Sequence, residues 1–515
     1  MTELLPNHLA GRWVAGRGPG TSLVDPVLGE ELARVDATGV DLGGGFEFAR
    51  REGGAALRAL TYRERGALLS AIVGVLQSRR DDYYAISLAN SGTVKGDSAV
   101  DVEGSTYTLS TYAKLAATLG ERRTLADGEP TPLTKDGAFA ARHIQVPTRG
   151  VALLINAFNF PAWGLWEKAA PALLSGVPVV VKPATATAWL TQRMVKDVID
   201  AGVLPAGALS IICGSTGLLD VLQPFDVLSF TGSSATAAVI RSHPAVAHRS
   251  VRVNIEADSL NSALLLPGEG AGSAAFDLLV KEVVREMTVK SGQKCTAIRR
   301  VLVPEALYDA TAEAVGVQLA KVTVGNPRNQ AVRMGALVNR AQLQNVQSGL
   351  AELRAGTEVL HDGASHPLVD ADPAVACCVG PTLLGTRDAD HTDVVHDTEV
   401  FGPVATLLPY RDAEHAHRLV RRGRGSLVVS VYGSDGAGLA ATAIELADSH
   451  GRVHLVSPAV GAVHTGHGNV MPQSLHGGPG RAGGGEELGG LRALNFYHRR
   501  CAVQAAGEVL SSIPP

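Results

Sequence analysis

Five short apolar runs between residues 151 and 255 constrain the fold of this chain more than any other sequence feature does. They cover residues 151–155, 177–181, 209–213, 226–230 and 251–255, and segments with helical periodicity separate them. Strands buried on both faces read as continuous apolar runs, and parallel strands need a helical crossover between them. The alternation therefore predicts an α/β fold in which helices cover both faces of a parallel sheet.

The rest of the chain predicts a second α/β unit and a projecting element. At 515 residues the chain is too long for one hydrophobic core, so two or three domains are expected. Beyond residue 295 we predict strands at 300–303 and 405–409, and helices at 305–321 and 338–355. Residues 121–147 are extended and polar, which indicates a hairpin that stands away from the body of the fold.

Polar residues follow every predicted strand of the first sheet. They occupy positions 156–161, 182–185, 214–217 and 231–234, and Glu256. Ligands of parallel sheets bind beyond the carboxyl ends of the strands, so these residues should surround one site. Taken singly, Asn159 fits a turn, Lys182 a solvated cation and Glu256 a surface charge. Their recurrence at the same end of successive strands favours a binding site.

The segment at residues 231–233 indicates that the ligand is a nucleotide. Thr231, Gly232 and Ser233 open a predicted helix, and the free N–H groups at a helix N-terminus attract a pyrophosphate. The usual Gly-x-Gly-x-x-Gly dinucleotide fingerprint follows none of the five strands, so this segment is the main nucleotide signal from pattern alone.

Cys295 is the candidate nucleophile. An amphipathic helix is predicted over residues 278–287, and Ser291 and Gly292 interrupt it just before the cysteine. A thiol on a glycine-containing turn is accessible, which a nucleophile requires. The alternative is a small buried side chain with no chemical role. The other cysteines, Cys213, Cys377, Cys378 and Cys501, are expected to be structural.

Composition excludes several classes of function. A net charge of -4 argues against a nucleic-acid partner. Five unevenly spaced cysteines form no disulfide framework, which fits a cytoplasmic location. The N-terminal residues do not form a signal peptide, and no apolar stretch is long enough to span a membrane. No metal site is predicted, because His464, His467 and His476 match no zinc spacing.

Five motifs occur in the order and at the spacing typical of the aldehyde dehydrogenase superfamily, which the chain resembles from about residue 5 to residue 505. They are Asn-Phe-Pro at 159–161, Val-Lys-Pro at 181–183, Phe-Thr-Gly-Ser at 230–233, Gly-Gln-Lys-Cys at 292–295 and Glu-Val-Phe-Gly-Pro at 399–403. The resemblance implies an oxidoreductase with a Rossmann-type cofactor domain, which oxidises an aldehyde through a thioester on the cysteine.

The same resemblance assigns roles to individual residues. It implies that Cys295 is the nucleophile, Glu256 the general base and Asn159 the side chain that holds the oxyanion. It places Lys182 on the adenosine ribose, Ser233 on the pyrophosphate, and Glu399 and Phe401 on the nicotinamide ribose. The remaining residues that we predict at the cofactor site are Phe158, Thr185, Thr231 and Gly232.

Departures from the family pattern indicate a subgroup. The family usually continues its glutamate with Leu-Gly-Gly-Lys, whereas this chain reads Ala-Asp-Ser-Leu-Asn at 257–261. This variant, the glycine-rich stretch from residue 476 and the tail at 496–500 resemble enzymes of aromatic compound catabolism that act on coenzyme A-linked semialdehydes. Some of those enzymes carry a fused hydratase. Because the sequence ends close to the tail motif, we expect a stand-alone dehydrogenase.

Charge favours NADP as the cofactor, with NAD as the alternative. NAD-preferring relatives usually carry a glutamate three residues after the lysine that corresponds to Lys182, and this chain has Thr185 there. A carboxylate at that position would repel a 2′-phosphate, so its absence, with Lys182 nearby, predicts a preference for NADP.

The resemblance also implies a domain division and a homodimer. We expect a dinucleotide-binding domain at 1–125 and 148–257, a catalytic domain at 258–465, and an oligomerisation element at 126–147 and 488–507. We expect the basic run at residues 418–424 to be a solvated helix end, with a contact to a coenzyme A phosphate as the alternative.

Two rival interpretations are open. One is an enzyme that releases the acyl group to coenzyme A, or that oxidises free aldehydes with NAD. The other is a binding protein without catalytic activity. The presence of Glu256 weighs against release to coenzyme A, and the complete set of Cys295, Glu256 and Asn159 weighs against an inactive protein.

Overall fold

The computed structural model describes residues 2–214 and 217–513. Of the polar positions predicted after the third strand, Ser215 and Thr216 lie outside the described residues. The strands are, in chain order, β1 Leu4–Leu5, β2 Asn7–Leu9, β3 Arg12–Val14, β4 Thr21–Val24, β5 Glu31–Val35, β6 Leu125–Ala126, β7 Thr131–Pro132, β8 Phe139–Pro147, β9 Ala152–Ile155, β10 Val179–Lys182, β11 Leu209–Ile211, β12 Val227–Thr231, β13 Arg252–Glu256, β14 Ser262–Leu265, β15 Arg300–Pro304, β16 Val324–Gly325, β17 Glu358–His361, β18 Leu368–Val369, β19 Thr382–Gly385, β20 Val404–Tyr410, β21 Ser426–Tyr432, β22 His450–Val456, β23 Leu475–Gly477, β24 Glu486–Leu488 and β25 His498–Ala506.

The α-helices account for most of the remaining ordered backbone. They are α1 Leu42–Phe48, α2 Gly54–Ala59, α3 Tyr62–Ser78, α4 Arg80–Ser91, α5 Lys95–Leu119, α6 Trp163–Ser175, α7 Ala188–Asp200, α8 Ser234–Ser242, α9 Pro244–Ala247, α10 Ala274–Thr288, α11 Tyr308–Leu319, α12 Arg340–Arg354, α13 Val394–Asp397, α14 Ala413–Arg421, α15 Gly436–Leu446, α16 Leu494–Tyr497 and α17 Gly507–Ser511.

The five predicted strands form the parallel part of one seven-stranded sheet. Its order is β13-β12-β9-β10-β11-β2-β3, and β9 to β13 pair in parallel. This confirms the predicted fold class. The third strand ends at Ile211, so Cys213 lies beyond it rather than within it as predicted. The antiparallel edge strands β2 and β3 were not predicted, because three residues each are too few to show a period.

Helix α6 connects β9 to β10 and packs inside the fold. It contacts strands β9 and β10 and helices α3 and α5, so it is apolar over nearly its whole circumference. Trp166, which is fully buried on this helix, illustrates the packing energy, because truncating such a ring typically costs about 3–5 kcal/mol. The charged pair Glu167 and Lys168 therefore lies in the interior rather than in solvent.

The predicted second α/β unit is also present. Its seven-stranded sheet has the order β17-β19-β20-β15-β14-β21-β22, in which only β17 is antiparallel. Helix α10 packs on β14 and β21 of this sheet and leads toward Cys295. The site therefore lies where a helix of the second sheet meets the strand ends of the first.

A small antiparallel sheet combines two distant parts of the chain. Strand β8 pairs over nine residues with β25, and β6 and β7 pair with β8. The tail consists of α16 followed by β25. The exact domain boundaries stay a prediction. Over the residues that the structure describes, none of the helices is both long enough and apolar enough to cross a lipid bilayer.

Candidate active site

Cys295 follows a tight left-handed turn. Helix α10 ends at Thr288, and Lys290, Ser291 and Gly292 then have φ angles of 53°, 53° and 67°. A Cβ atom at Gly292 would lie 2.3 Å from the carbonyl oxygen of Gly402, so only glycine fits this position. The cysteine is thus held on a turn that packs directly against the backbone of the 399–403 segment.

The backbone around the sulfur is fixed by a buried amide. Asn261 Nδ2 donates to the carbonyl oxygens of Cys295 at 2.7 Å and of Ala297 at 3.1 Å. Its Oδ1 accepts hydrogen bonds from Ser259 Oγ and from the backbone N–H of Val428. Because all of these groups are buried or nearly so, Asn261 anchors the loop that carries Cys295.

The thiol of Cys295 lies beside a carboxylate and an imidazole. The Sγ of Cys295, a carboxylate oxygen of Glu256 and a ring nitrogen of His476 all lie within 4.8 Å of one another. Burial, followed by the negative charge of Glu256, raises the pKa of the Cys295 thiol well above its usual range. The resting thiol is therefore protonated at neutral pH and needs a base or a positive charge to become a nucleophile.

Glu256 ends strand β13 and is almost fully buried. Its Oε2 is 3.1 Å from His476 Nε2, and its Oε1 has no hydrogen-bond partner among the described residues. Burial alone would raise the pKa of this carboxyl, but His476 and Lys168 outweigh burial and lower it to about 2. One oxygen is thus held by the imidazole and the other is free to face a ligand.

A buried charge cluster lies behind Glu256. Lys168 Nζ is 3.1 Å from Glu167 Oε1 and 2.8 Å from Glu487 Oε2. Glu487 Oε1 also accepts from Ser229 Oγ and Asn254 Nδ2, each at 2.8 Å. Burial opposes the charge on Lys168, yet the neighbouring carboxylates hold its pKa well above the usual value. The ammonium therefore stays charged and balances part of the negative charge of the interior carboxylates.

Two cavities meet at Cys295. We call the larger one the outer cavity, with a volume of about 950 Å³, and the smaller one the inner chamber, with a volume of about 40 Å³. Cys295, Glu256 and Asn159 line both of them. The inner chamber is completed by Trp163, Glu167, Lys168, Thr296, Gly468, Val470 and His476, among others.

The outer cavity contains every residue that the sequence assigns to the cofactor. Its walls include Phe158, Lys182, Thr185, Thr231, Gly232, Ser233, Glu399 and Phe401. The structure thus brings together all the predicted site residues, although their roles in chemistry stay predictions. The cavity runs along the carboxyl ends of the strands in the first sheet, where such ligands bind.

One end of the outer cavity, near Cys295, is aromatic and acidic. Phe158 and Phe401 meet edge to face with ring centroids 5.7 Å apart. Glu399 Oε2 accepts the backbone N–H of Ser259 at 2.9 Å, and burial raises the pKa of Glu399 to about 7 in spite of the nearby Arg299. A carboxylate of this kind is suited to bind sugar hydroxyls.

The donor set of the outer cavity fits a dinucleotide. Thr231 Oγ1 is buried without a hydrogen-bond partner in the described part of the chain, so it is free to bind a ligand group. At the N-terminus of α8, by contrast, two N–H groups expected to be free are already paired: Ser233 Oγ accepts the N–H of Thr236, and Asp258 accepts the N–H and Oγ of Ser234. Burial lowers the pKa of Lys182, because its ammonium group is removed from water without an anionic partner nearby within the described ranges.

The basic run at residues 418–424 agrees with the prediction of a solvated helix end, because Arg418, Arg421 and Arg424 are exposed at the end of α14 and form surface ion pairs there. Arg421 contacts Glu445, Arg422 contacts Asp393, and Arg424 contacts Asp397. These partners come from α13 and α15, far from α14 in sequence, and no local pattern indicates them. Arg424 also lines the outer cavity, together with Arg481.

Several residues of the site were not singled out from sequence. They are Glu167, Lys168, Asn261, Glu487 and, as a partner of Glu256, His476. One usable signal was present, because Glu167 and Lys168 interrupt an otherwise apolar helix, and buried charges need a reason. His476 was singled out as the start of the glycine-rich stretch and as a residue without zinc spacing, but not as a partner of Glu256.

Comparisons with known proteins agree with this geometry. A family model described as "Aldehyde dehydrogenase family" matches residues 13–502. The chain is 55% identical over 477 residues to the 3,4-dehydroadipyl-CoA semialdehyde dehydrogenase of Aromatoleum evansii, and the match covers 92% of this chain and 93% of that protein.

Among solved structures, lactaldehyde dehydrogenase from Escherichia coli superposes with a TM-score of 0.84 at 22% identity, over 98% of this chain and 99% of that chain. An NADP-dependent enzyme of E. coli superposes with a TM-score of 0.83 at 22% identity, over 98% of each chain. These two structures support the fold alone.

Proposed function

This chain belongs to the aldehyde dehydrogenase family, and from that premise we propose that it oxidises a coenzyme A-linked semialdehyde to the carboxylic acid with NADP. The observation that carries the proposed chemistry is the position of Cys295 at the junction of the two cavities, beside Glu256. The substrate class is supported by the 55% identity to the dehydroadipyl-CoA semialdehyde dehydrogenase. An aldehyde bound in the inner chamber would place its carbonyl carbon next to the sulfur.

The first step is addition of the sulfur to the aldehyde carbon. Because the thiol is protonated at rest, Glu256, which has a carboxylate oxygen within 4.8 Å of the sulfur, is the group that can receive its proton. We propose that the Asn159 amide and the Cys295 backbone N–H hold the oxyanion. Donors of this kind typically contribute about 3–4 kcal/mol each to lowering the barrier.

NAD(P) is the cofactor of the family, and when bound it supplies the acceptor for the hydride that leaves the substrate carbon. Glu399 and Phe401 would hold its nicotinamide ribose, with Phe158 against Phe401 at the same end of the cavity. Thr231, Gly232 and Ser233 would hold its pyrophosphate. After hydride loss the acyl group is a thioester on Cys295, and Glu256 would activate the water that hydrolyses it.

The proposed NADP preference rests on the adenosine end of the outer cavity. Lys182 and Thr185 both line this end, and the position of Thr185 carries no carboxylate that would repel a 2′-phosphate. Lys182 and the Thr185 hydroxyl are the groups that we assign to this phosphate.

We also propose a homodimer built through the small sheet. Strand β25 is paired on one side with β8, and its residues 499–506 are mostly exposed. A long exposed edge strand is a template for pairing with another chain, which supports this element as the subunit contact. Light scattering of the purified protein tests this; a monomer at micromolar concentration would contradict it.

The decisive experiment is turnover with a matched substrate set. A coenzyme A-linked semialdehyde and free aliphatic aldehydes are each offered with NADP and with NAD, and free coenzyme A is added in a separate reaction. We expect the highest kcat/KM with the coenzyme A-linked semialdehyde and NADP, and a free carboxylic acid as the product. Higher kcat/KM for free aldehydes, or for NAD, or consumption of free coenzyme A, would each overturn the corresponding part of the proposal.

A further inference from the structure

His476 contacts the base rather than the reacting atoms. It lies on strand β23, its Nε2 is 3.1 Å from Glu256 Oε2, and both side chains are buried. Their hydrogen bond joins residues 220 positions apart in the chain. An aldehyde oxidation that used Glu256 alone would not require this imidazole.

The hydrogen bond divides the two carboxylate oxygens between two tasks. Oε2 is held by His476, whereas Oε1 is buried and has no hydrogen-bond partner among the described residues. Because Oε2 is fixed, the carboxylate cannot rotate freely, and Oε1 is left to accept the proton of an attacking water. The imidazole thus controls the orientation of the base.

The charge of the imidazole also controls how basic that oxygen is. An imidazolium beside Glu256 stabilises the carboxylate, so the carboxylate binds a proton only weakly. A neutral imidazole with its proton on Nε2 keeps the hydrogen bond and removes the positive charge. Glu256, in its buried position, then becomes a stronger base.

We propose that His476 positions Glu256 for hydrolysis of the Cys295 thioester and switches this base on when the imidazole becomes neutral. This inference rests on the proposed function of Glu256. In the step concerned, the water oxygen bonds to the acyl carbon while one water proton moves to Glu256 Oε1. The carbon–sulfur bond then breaks, its electron pair returns to Cys295 as the thiolate, and the carboxylic acid leaves.

The charged groups around His476 determine the pH at which the imidazole becomes neutral. Burial opposes the charged imidazole, but Glu256 directly, and Glu167 and Glu487 behind it, raise the pKa of His476 above 6.5. Lys168 lies between those two carboxylates and balances part of their charge, and the Cys295 thiol is neutral at rest. Hydrolysis of the thioester should therefore become faster as pH rises through a value above 6.5.

An activated ester isolates this step from hydride transfer. p-Nitrophenyl acetate acylates an accessible thiol and releases p-nitrophenol, so the burst reports acylation of Cys295 and the later linear phase reports hydrolysis. No nucleotide is needed. Failure of the proposed function would appear separately, as no NADPH formation from any aldehyde. A Cys295→Ala protein should give no burst, which verifies that the signal comes from this thiol.

The expected results separate charge from orientation. In His476→Gln the amide N–H can still donate to Oε2, but the residue carries no titratable charge. In the plot of hydrolysis rate against pH, we therefore expect the rising limb to move by at least one pH unit toward lower pH. Its plateau should stay within about threefold of the native protein. In His476→Phe the orienting hydrogen bond is lost as well, and the plateau should fall roughly tenfold.

A second histidine and a spectroscopic readout complete the test. His467, in the loop before β23, forms its hydrogen bond with Ser430 instead, so His467→Gln should leave the rising limb in place. In ¹⁵N spectra, the ring signals that disappear in His476→Gln should titrate above pH 6.5, and Glu256→Gln should shift that titration to lower pH. A rising limb at the same pH in the native protein and in His476→Gln, or a His476 ring that titrates below 6.5, would overturn the inference.

Discussion

The outer cavity and the inner chamber share Cys295 but are built in different ways. The outer cavity is lined mainly by short segments that follow successive strands, and its volume is about 950 Å³. The inner chamber, at about 40 Å³, is lined by side chains from α6, from the loop near residue 468 and from β23. The first is a binding surface with free polar groups, whereas the second is lined by buried charged side chains that pair with one another. The comparison teaches that cofactor binding and substrate chemistry can be disturbed separately.

The largest effect should come from removing the sulfur. In Cys295→Ala we expect aldehyde oxidation to fall by more than about 10³-fold, because no thioester can form. Nucleotide binding, measured by titration of intrinsic fluorescence, should change less than about twofold, since the outer cavity keeps its other walls. Comparable losses in both measurements would show that the two regions are not separable.

Removing the positive charge behind the inner chamber should be the next largest effect. Lys168→Met leaves Glu167 and Glu487 buried without their cation, which typically costs about 3–5 kcal/mol of unfolding free energy. Denaturant unfolding measures it. The control is Lys196→Met, which breaks an exposed pair with Asp200 and should cost less than about 1 kcal/mol. Equal losses for the two variants would contradict a charge-paired interior cluster.

Asn159 lines both regions, and its removal tests which of them it serves. For Asn159→Ala we expect kcat for aldehyde oxidation to fall about 10²–10³-fold, because one oxyanion donor is lost. The KM for the nucleotide should remain nearly the same. A raised nucleotide KM with an unaltered kcat would assign this amide to the outer cavity instead.

Thr185 tests the far end of the outer cavity. Thr185→Glu places a carboxylate beside the proposed 2′-phosphate position, so kcat/KM with NADP should fall about tenfold or more. The kcat/KM with NAD should stay the same or rise. Thr185→Gln, which has nearly the same size without the charge, is the matched control. A similar loss with both nucleotides would point to steric blockage and not to charge.

The smallest effect concerns the resting thiol. Because the pKa of Cys295 is raised well above its usual range, its alkylation by iodoacetamide should keep accelerating with pH beyond pH 9, where an ordinary thiol levels off. Saturating NADP should accelerate it at pH 7, since a nearby positive charge favours the thiolate. A rate that levels off near pH 8.5 without nucleotide would disprove the protonated resting state.

Sequence predicted the outer cavity well because its information is local. The wall residues contributed by the first sheet end or follow apolar runs, as Lys182 ends β10 and Thr231 ends β12, and the parallel arrangement brings these ends together. Glu399 and Phe401 were expected only because the chain resembles a known family. The glycine turn before Cys295 is local in the same sense. The short edge strands β2 and β3 were missed because three residues do not establish a period.

The inner chamber could not be predicted in this way. Lys168 and Glu487 are 319 positions apart, and Glu256 and His476 are 220 apart. No spacing rule relates such residues, since their meeting depends on how α6 and the β23–β24 hairpin pack against the first sheet. A buried charge in an apolar helix indicates that a partner exists, but it does not identify that partner.

Arg299 has a consequence for how this site can diversify. Its guanidinium donates to the carbonyl oxygen of Gly292 at 2.9 Å and to that of Gly402 at 2.6 Å, which ties the loop of the sulfur to the loop of Glu399 and Phe401. The separation between the Cys295 sulfur and the Glu399 carboxylate is therefore set by main chain and one side chain. Mutations that reshape the inner chamber can alter which aldehyde is accepted while the alignment needed for hydride transfer is inherited intact.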